Sequence, residues 1–328
     1  MAGPVPRPPA RRPEERLFRP RNPPEPAITK PVLPAAPPRS RRDTLLGIGL
    51  AVLAAASVLA VLSSVLSLIA VIEDEDRPGG YTLARGLWTA DAILAVALWI
   101  VAARAFLGPV AARTARLLTA AVLAVAAGAF SLGASAASSA AGIADDIPGT
   151  GVAADVMGLI NSAFYVAATI LLARAFASDT ADERDDRGAR AAVVFAVGWM
   201  FAIGQIVLLA ILYRDLGATD GFIRGLWFVA AGAAVLLAAP TFAAIALRAR
   251  RSLRDALLSV AAGVFAFATG LSTIGAFLLA GSIRENGLQG AEVTSAWLDA
   301  FVEVGTAGAA VCVAAGLAAS SRRSPASD

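Results

Sequence analysis

The chain has 328 residues, 57% of them hydrophobic and only 16% charged, with a mean hydropathy of +0.68. Soluble domains run nearer half apolar and a quarter charged, so a water-soluble globule is excluded. Histidine is absent and Cys312 is the single cysteine. Together these remove His-ligated haem and zinc, imidazole-based catalytic dyads and any disulfide within the chain.

The formal charge of +3, from 28 basic and 25 acidic residues, is unevenly spread. Residues 1–42 hold 13 of the 18 prolines, nine arginines and the only lysine, Lys30. Against Glu14, Glu15 and Glu25 this makes a tail of net +7, and residues 43–328 carry −4. The basic balance belongs to the tail, so it does not mark a nucleic-acid partner. Pro6-Arg7-Pro8-Pro9 and Pro23-Pro24-Glu25-Pro26 cannot enter a helix, because proline lacks the donor and clashes with the preceding turn. A disordered cytoplasmic tail with polyproline II character is expected over 1–42. Its charge suits anionic lipid, at ~1 kcal/mol per basic residue near the surface, or a cytosolic protein. Ser40-Arg41-Arg42 has the look of a twin-arginine leader. The apolar run behind it is too long for a signal peptide and no small-residue cleavage site follows, so it reads as a basic flank.

From Leu45 the chain reads as eight apolar runs: Leu45–Ile72, Leu87–Leu107, Leu117–Ile143, Ala154–Ala177, Ala191–Tyr213, Phe222–Leu247, Ala256–Gly281 and Ala296–Ala319. A helix needs ~20 residues to cross the hydrocarbon layer, and each run is long enough. The expected fold is an all-α, polytopic integral membrane helix bundle in contact with the lipid bilayer. Arginine placement sets its orientation. Alternate connections divide the Lys and Arg residues 23 against 5, which places both termini in the cytoplasm. Trp88, Trp227 and Trp297 then fall at outer helix ends, where amphipathic rings settle. Arginine in place of lysine, with abundant alanine, suggests a GC-rich bacterial source, hence a bacterial cytoplasmic (inner) membrane.

The chain also repeats itself. Arg85-Gly86-Leu87-Trp88 recurs as Arg224-Gly225-Leu226-Trp227 at an offset of 139, each copy leading from an outer loop into a helix. Arg174–Ser178 matches Gly316–Ser320 more loosely, at an offset of 142. Two parallel four-helix repeats follow, 43–180 and 181–321, with a short cytoplasmic tail over 322–328. An even number of spans in each keeps the orientation and gives a pseudo-twofold along the membrane normal.

Ionisable groups in hydrocarbon cost ~2.5–3.5 kcal/mol each, so every one needs a reason. Four stand out: Asp91, Asp155, Asp299 and Glu303. Asp155 and Asp299 lie within a turn of the ends of their runs, which favours hydration. Glu303 lies about seven residues into the eighth run, with Asp299 at i−4 on the same face. Two like charges in low dielectric resist ionising together, which suits a proton-binding group. At the offset of 142 Glu303 corresponds to Asn161, and Asp91 is expected to complete an acidic outer vestibule. Gln205 reads as helix–helix glue, and Cys312 as an inert buried thiol. Ser131, Gly133, Ser135, Ser138 and Ser139 give the third helix a small side that suits a central position. Pro240 should kink the sixth helix.

The acidic runs Glu73–Asp76 and Asp182–Asp186 lack the pattern of a calcium loop and read as solvated loops. No nucleotide-binding glycine loop, nucleophile elbow or Cys/His metal spacing occurs. No enzyme activity, cofactor or metal is therefore expected. The function expected is a small secondary transporter or permease-like protein with Glu303 as the coupling carboxylate. The alternative is a non-catalytic membrane scaffold or partner subunit acting through its basic tail.

Overall fold

A computed structural model of the chain describes Gly3 and residues 40–73, 79–144, 148–286 and 290–321. The expected disordered tail therefore lies outside the described residues but for Gly3 and its last three positions. The C-terminal tail 322–328 and the acidic positions 74–76 lie outside them too. Every element among the described residues is helical: α1 Arg41–Glu73, α2 Gly79–Leu107, α3 Arg113–Ala144, α4 Gly149–Phe176, α5 Ala181–Asp215, α6 Asp220–Leu236, α7 Ala238–Arg248, α8 Arg251–Ser282 and α9 Ala291–Ser321. They make eight segments long and apolar enough to span a membrane, with α6 and α7 sharing one.

Several helices begin before their apolar runs, by eight residues in α2, ten in α5 and five in α4 and α9. The start of α5 shows why. Thr180 caps it by accepting the Glu183 N–H, and Asp182 and Glu183 lie where a helix end favours negative charge. Asp182–Asp186 is thus not the solvated loop expected from composition but the first turn of a helix. Its acids are engaged as well: Asp185 takes two bonds from Arg254 of α8, at 2.5 and 2.9 Å, and Asp186 pairs with Arg190. At its other end α5 closes on Gly217 (φ +80°), a left-handed cap that lets the Ala218 N–H reach the Tyr213 carbonyl.

Pro240 has no N–H for the carbonyl four residues back and its ring crowds that group, which belongs to Leu236. Helix α6 ends at that residue and α7 resumes at Ala238. The second span, α2, contains no proline and runs unbroken.

The spans form a ring. Each packs on its neighbours in the chain, and α9 returns to pack on α1. The contacts are made by small side chains: among the described residues every buried hydrophobic residue except Val71, Leu98, Leu226 and Val293 is alanine, while many Leu, Ile, Val and Phe side chains are exposed. This reverses a soluble core, and it fits a medium in which only close backbone approach favours helix association. At the α6–α8 crossing backbone meets backbone: a Cβ built on Gly275 would lie 2.7 Å from the Gly225 carbonyl oxygen. The α1–α9 seam uses Gly49 against Ala309, Ala56 against Gly305, and Ser63 against Ser295.

Helix α3 is not central, contrary to expectation; it packs between α2 and α4. Its small side is used laterally, with Gly128 against Tyr165 and Ser135 hydrogen-bonded to Ser162 at 2.9 Å. In a ring each helix must approach two neighbours closely, so small residues mark lateral seams as readily as a centre.

Contacts recur along the chain at a nearly constant interval. The ion pair Asp43–Arg113 (2.8 Å) has its counterpart in Asp185–Arg254, 142 and 141 residues on. Gly47 meets Leu107 as Gly188 meets Leu247, and Gly80 meets Ala141 as Gly221 meets Ser282. These pairs are likewise 140–141 residues apart.

Candidate functional site

The polar groups of the ring gather towards its arginine-poor end, where α1 finishes and α2 and α9 begin. On α9, Glu292, Ser295, Asp299 and Glu303 follow at intervals of three and four, so they line one face. Opposite stand Ser63 and Ser67 of α1, one turn apart. Both hydroxyls lie 2.8 Å from that of Ser295. Asp299 of α9 and Arg85 of α2 stand in the walls of one recess with Ser67 and Ser295, so a carboxylate and a guanidinium share it. The recess, of about 220 Å³, is formed by Ser67, Val71, Arg85, Glu292, Ser295 and Asp299 with their neighbours.

Glu303 lies one turn further in, half-buried and close enough to Asp299 for their charges to interact. Because α9 starts at Ala291, Glu303 is twelve residues into its helix, or ~18 Å at 1.5 Å per residue. It is thus three turns from the helix end, not two. Asp299 is eight residues in and so is no frayed helix end.

Asp91 occupies α2 twelve residues from its start, seven before Leu98 and on the same helix face. Leu98 forms part of the wall of a second, partly open chamber, about 420 Å³, between α2, α3, α4, α5 and α7. That chamber is apolar. Leu98, Trp99, Leu172, Phe195 and Pro240 line it with several alanines, and no charged side chain is among its walls. Thr169 also faces it, but its hydroxyl donates back to the Val166 carbonyl at 2.9 Å. Tyr165 meets Phe195 edge-on, and Phe195 stacks on Trp199 at 5.7 Å.

The expected site residues thus divide. Asp299 and Glu303 are together on α9, and Asp91 lies apart from them on α2. The Asn161 backbone belongs to the α4–α5 contact, its carbonyl facing Gly198, and Asp155 lies half-buried six residues into α4. Gln205 covers Gly158 of α4, as helix–helix glue should.

Sequence reasoning missed Ser63, Ser67, Ser295, Glu292, Tyr165 and the role of Arg85. The four-residue spacing of Ser63 and Ser67 was a usable signal. Arg85 read as a loop residue; it lies inside α2, its guanidinium 5.2 Å from the centre of the Trp88 ring.

Eight apolar spans with alanine inside and branched side chains outside define a multi-pass membrane protein. No known protein family, curated protein or solved structure gives a significant match to the chain.

Proposed function

We propose that the protein is a small secondary transporter or permease-like protein of two parallel four-helix repeats, with Glu303 and Asp299 as its proton-binding pair. The observation that carries this reading is the placement of the carboxylates. They lie one turn apart on one stripe of α9, with Asp299 in the wall of a polar recess, in a ring whose helices also line an apolar, partly open chamber. Ionisable groups held at such depth are costly and mark solute or proton routes in membrane proteins. Duplication is supported by the recurrence of the Asp43–Arg113 ion pair as Asp185–Arg254, and of two glycine contacts at the same interval. The arginine distribution supports cytoplasmic termini in a bacterial inner membrane.

The test is proton movement in liposomes that hold the purified protein and a pH-sensitive dye, challenged with panels of solutes. A solute-dependent proton flux that disappears in Glu303→Gln is expected. Flux of normal size in that variant removes the coupling role.

The net charge of +7 over residues 1–42 favours a second reading, a scaffold whose tail engages anionic lipid or a cytosolic protein. Deleting residues 1–38 distinguishes the two. A transporter keeps its flux, whereas a scaffold loses its partner.

A further inference from the structure

A groove of about 360 Å³ runs along the seam between α5 and the broken span α6–α7. Val193, Val197 and Met200 of α5, spaced by four and three residues, form one wall. Thr241, Ile245 and Arg248 of α7, spaced by four and three, form the other. Ala196 and Ala244 put small side chains between the two walls, which leaves an open trough. Val197, Met200, Thr241 and Ile245 are all exposed. Other faces of the same helices, with Phe195 of α5 and Pro240 of α7, line the chamber shared with α2, α3 and α4. The groove therefore opens away from that chamber, towards the medium around the ring. For eight apolar spans that medium is lipid.

The charged end of the groove is part of its wall. Arg248 is eleven residues beyond Leu237, which lines the opposite end, or ~16 Å at 1.5 Å per residue. Half of the hydrocarbon layer is about 15 Å, so the groove has the reach of one leaflet. Arg190 and Arg248 flank Asp186 at 2.6 and 4.0 Å, and their side chains stay 63% and 58% exposed. Two guanidiniums thus share one carboxylate, and Asp182 stands a turn further out along α5. A contact of 4.0 Å is longer than a hydrogen bond, so the planar Arg248 fork can also hold a phosphate. Thr241 donates its hydroxyl back to the Leu237 carbonyl at 3.0 Å, so it asks nothing of an apolar occupant.

We propose that this groove holds one anionic phospholipid of the surrounding leaflet, an acyl chain along Val197, Met200 and Ile245 and the headgroup phosphate on Arg248, with Arg190 beside it. An apolar trough takes any acyl chain. The guanidiniums select among headgroups, because phosphatidylcholine carries a cation of its own and phosphatidylglycerol does not. The site needs only the spans and their seam, and stands whether the protein is a transporter or a scaffold.

Native mass spectrometry counts the lipids that the full chain retains on release from nanodiscs. The nanodiscs hold equal parts of phosphatidylglycerol and phosphatidylcholine with identical acyl chains. Phosphatidylglycerol should be retained at least about fivefold more often, the preference that one basic residue near anionic lipid carries. Arg248→Gln should lower that ratio about fivefold. Arg104→Gln removes an arginine from the last turn of α2, outside the groove, and should leave the ratio unchanged. The basic tail is the same in every variant, so differences between variants report the groove. Thr241→Trp lays a ring across the trough and should cost one retained phosphatidylglycerol per chain. Val197→Trp fills it from α5 and replaces the first plug if that variant does not fold. Equal retention of the two lipids by the parent overturns the anionic class. A ratio unchanged in Arg248→Gln, or lowered as much in Arg104→Gln, overturns Arg248 as the headgroup site. Undiminished retention in a folded plug variant overturns the groove.

Discussion

The α6–α8 crossing gives the sharpest test of how this ring is held. A methyl group at Gly275 would lie 2.7 Å from the Gly225 carbonyl oxygen and 2.8 Å from the Val229 amide nitrogen. Both are backbone atoms and neither can swing aside. An ordinary carbon–oxygen contact is about 3.3–3.6 Å, so the helices must separate by roughly 0.6–0.9 Å in Gly275→Ala. A gap of that size forfeits about a quarter to a half of each dispersion contact along the crossing. Overpacking of this kind costs about 1–3 kcal/mol. Alanine also favours the helix over glycine by up to ~1 kcal/mol, which acts against the clash. Gly270→Ala isolates that gain, because nothing lies within 4 Å of a Cβ at Gly270 in the same helix. The predicted difference between the two variants is therefore the whole clash, about 1–3 kcal/mol, with Gly275→Ala the less stable. Equilibrium unfolding by SDS titration in mixed micelles, followed by tryptophan fluorescence, measures it. Equal stability within ~0.5 kcal/mol would refute the close approach of α6 to α8.

Two further outcomes follow from the ion pair and the kink. The Asp185–Arg254 pair is doubly bonded, yet its side chains stay 27% and 33% exposed, so a double-mutant cycle with Asp185→Asn and Arg254→Gln should give a coupling of only ~1 kcal/mol that shrinks with added salt. A coupling indistinguishable from zero at low salt contradicts the pairing. In Pro240→Ala the Leu236 carbonyl regains a donor, and because Leu237 already has helical dihedrals (φ −55°, ψ −30°), α6 and α7 should merge into one hydrogen-bonded helix. The amide created at position 240 should then exchange slowly with solvent deuterium; fast exchange there would place the cause of the break elsewhere.

The spans were legible because crossing a bilayer demands about twenty apolar residues, and that demand leaves little ambiguity in a chain with 16% charge. The break at Pro240 was legible for an equally local reason. Helix starts were not, because a capping Thr180 and acids in the first turn are polar and look like loop until the cap is seen. Ring order was harder still. Hydropathy does not distinguish the buried side of a membrane helix from its lipid side, since alanine and leucine both count as apolar. The relevant signal was size: Gly49, Ala56 and Ser63 recur every seven residues along one stripe of α1, and all three touch α9. Within the site, Asp299 and Glu303 were readable from their four-residue spacing. Ser295 was not, because a serine in a membrane helix ordinarily bonds to its own backbone, and only α1 supplies the hydroxyls that single it out.

A ring whose last helix packs on its first has no privileged starting point, and this can be tested by moving the termini. Gly316 of α9 lies against Leu45 and the Arg42 carbonyl of α1, so the two chain ends of the ring are neighbours on the arginine-rich face. A flexible linker of about ten Gly and Ser residues spans roughly 16–19 Å, enough to join Ser321 to Ser40. The connection from α4 to α5 lies on that same face, so opening the chain before Asp179 leaves both new ends where the old ones were. The permuted order, 179–321, linker, 40–178, keeps the arginine bias that sets topology. It exchanges a covalent α4–α5 link for a covalent α9–α1 link and leaves the contacts at both seams in place. Closure is read by cross-linking cysteines at Ser63→Cys and Ser295→Cys, whose hydroxyl oxygens are 2.8 Å apart, in a Cys312→Ala background. The bond should form on mild oxidation in the parent and in the permutant alike. A parent chain that resists it has no α1–α9 seam. A parent that forms it beside a permutant that inserts and does not would show that α9 reaches α1 only when the α4–α5 connection is intact, making closure a property of chain order rather than of the seam's own packing.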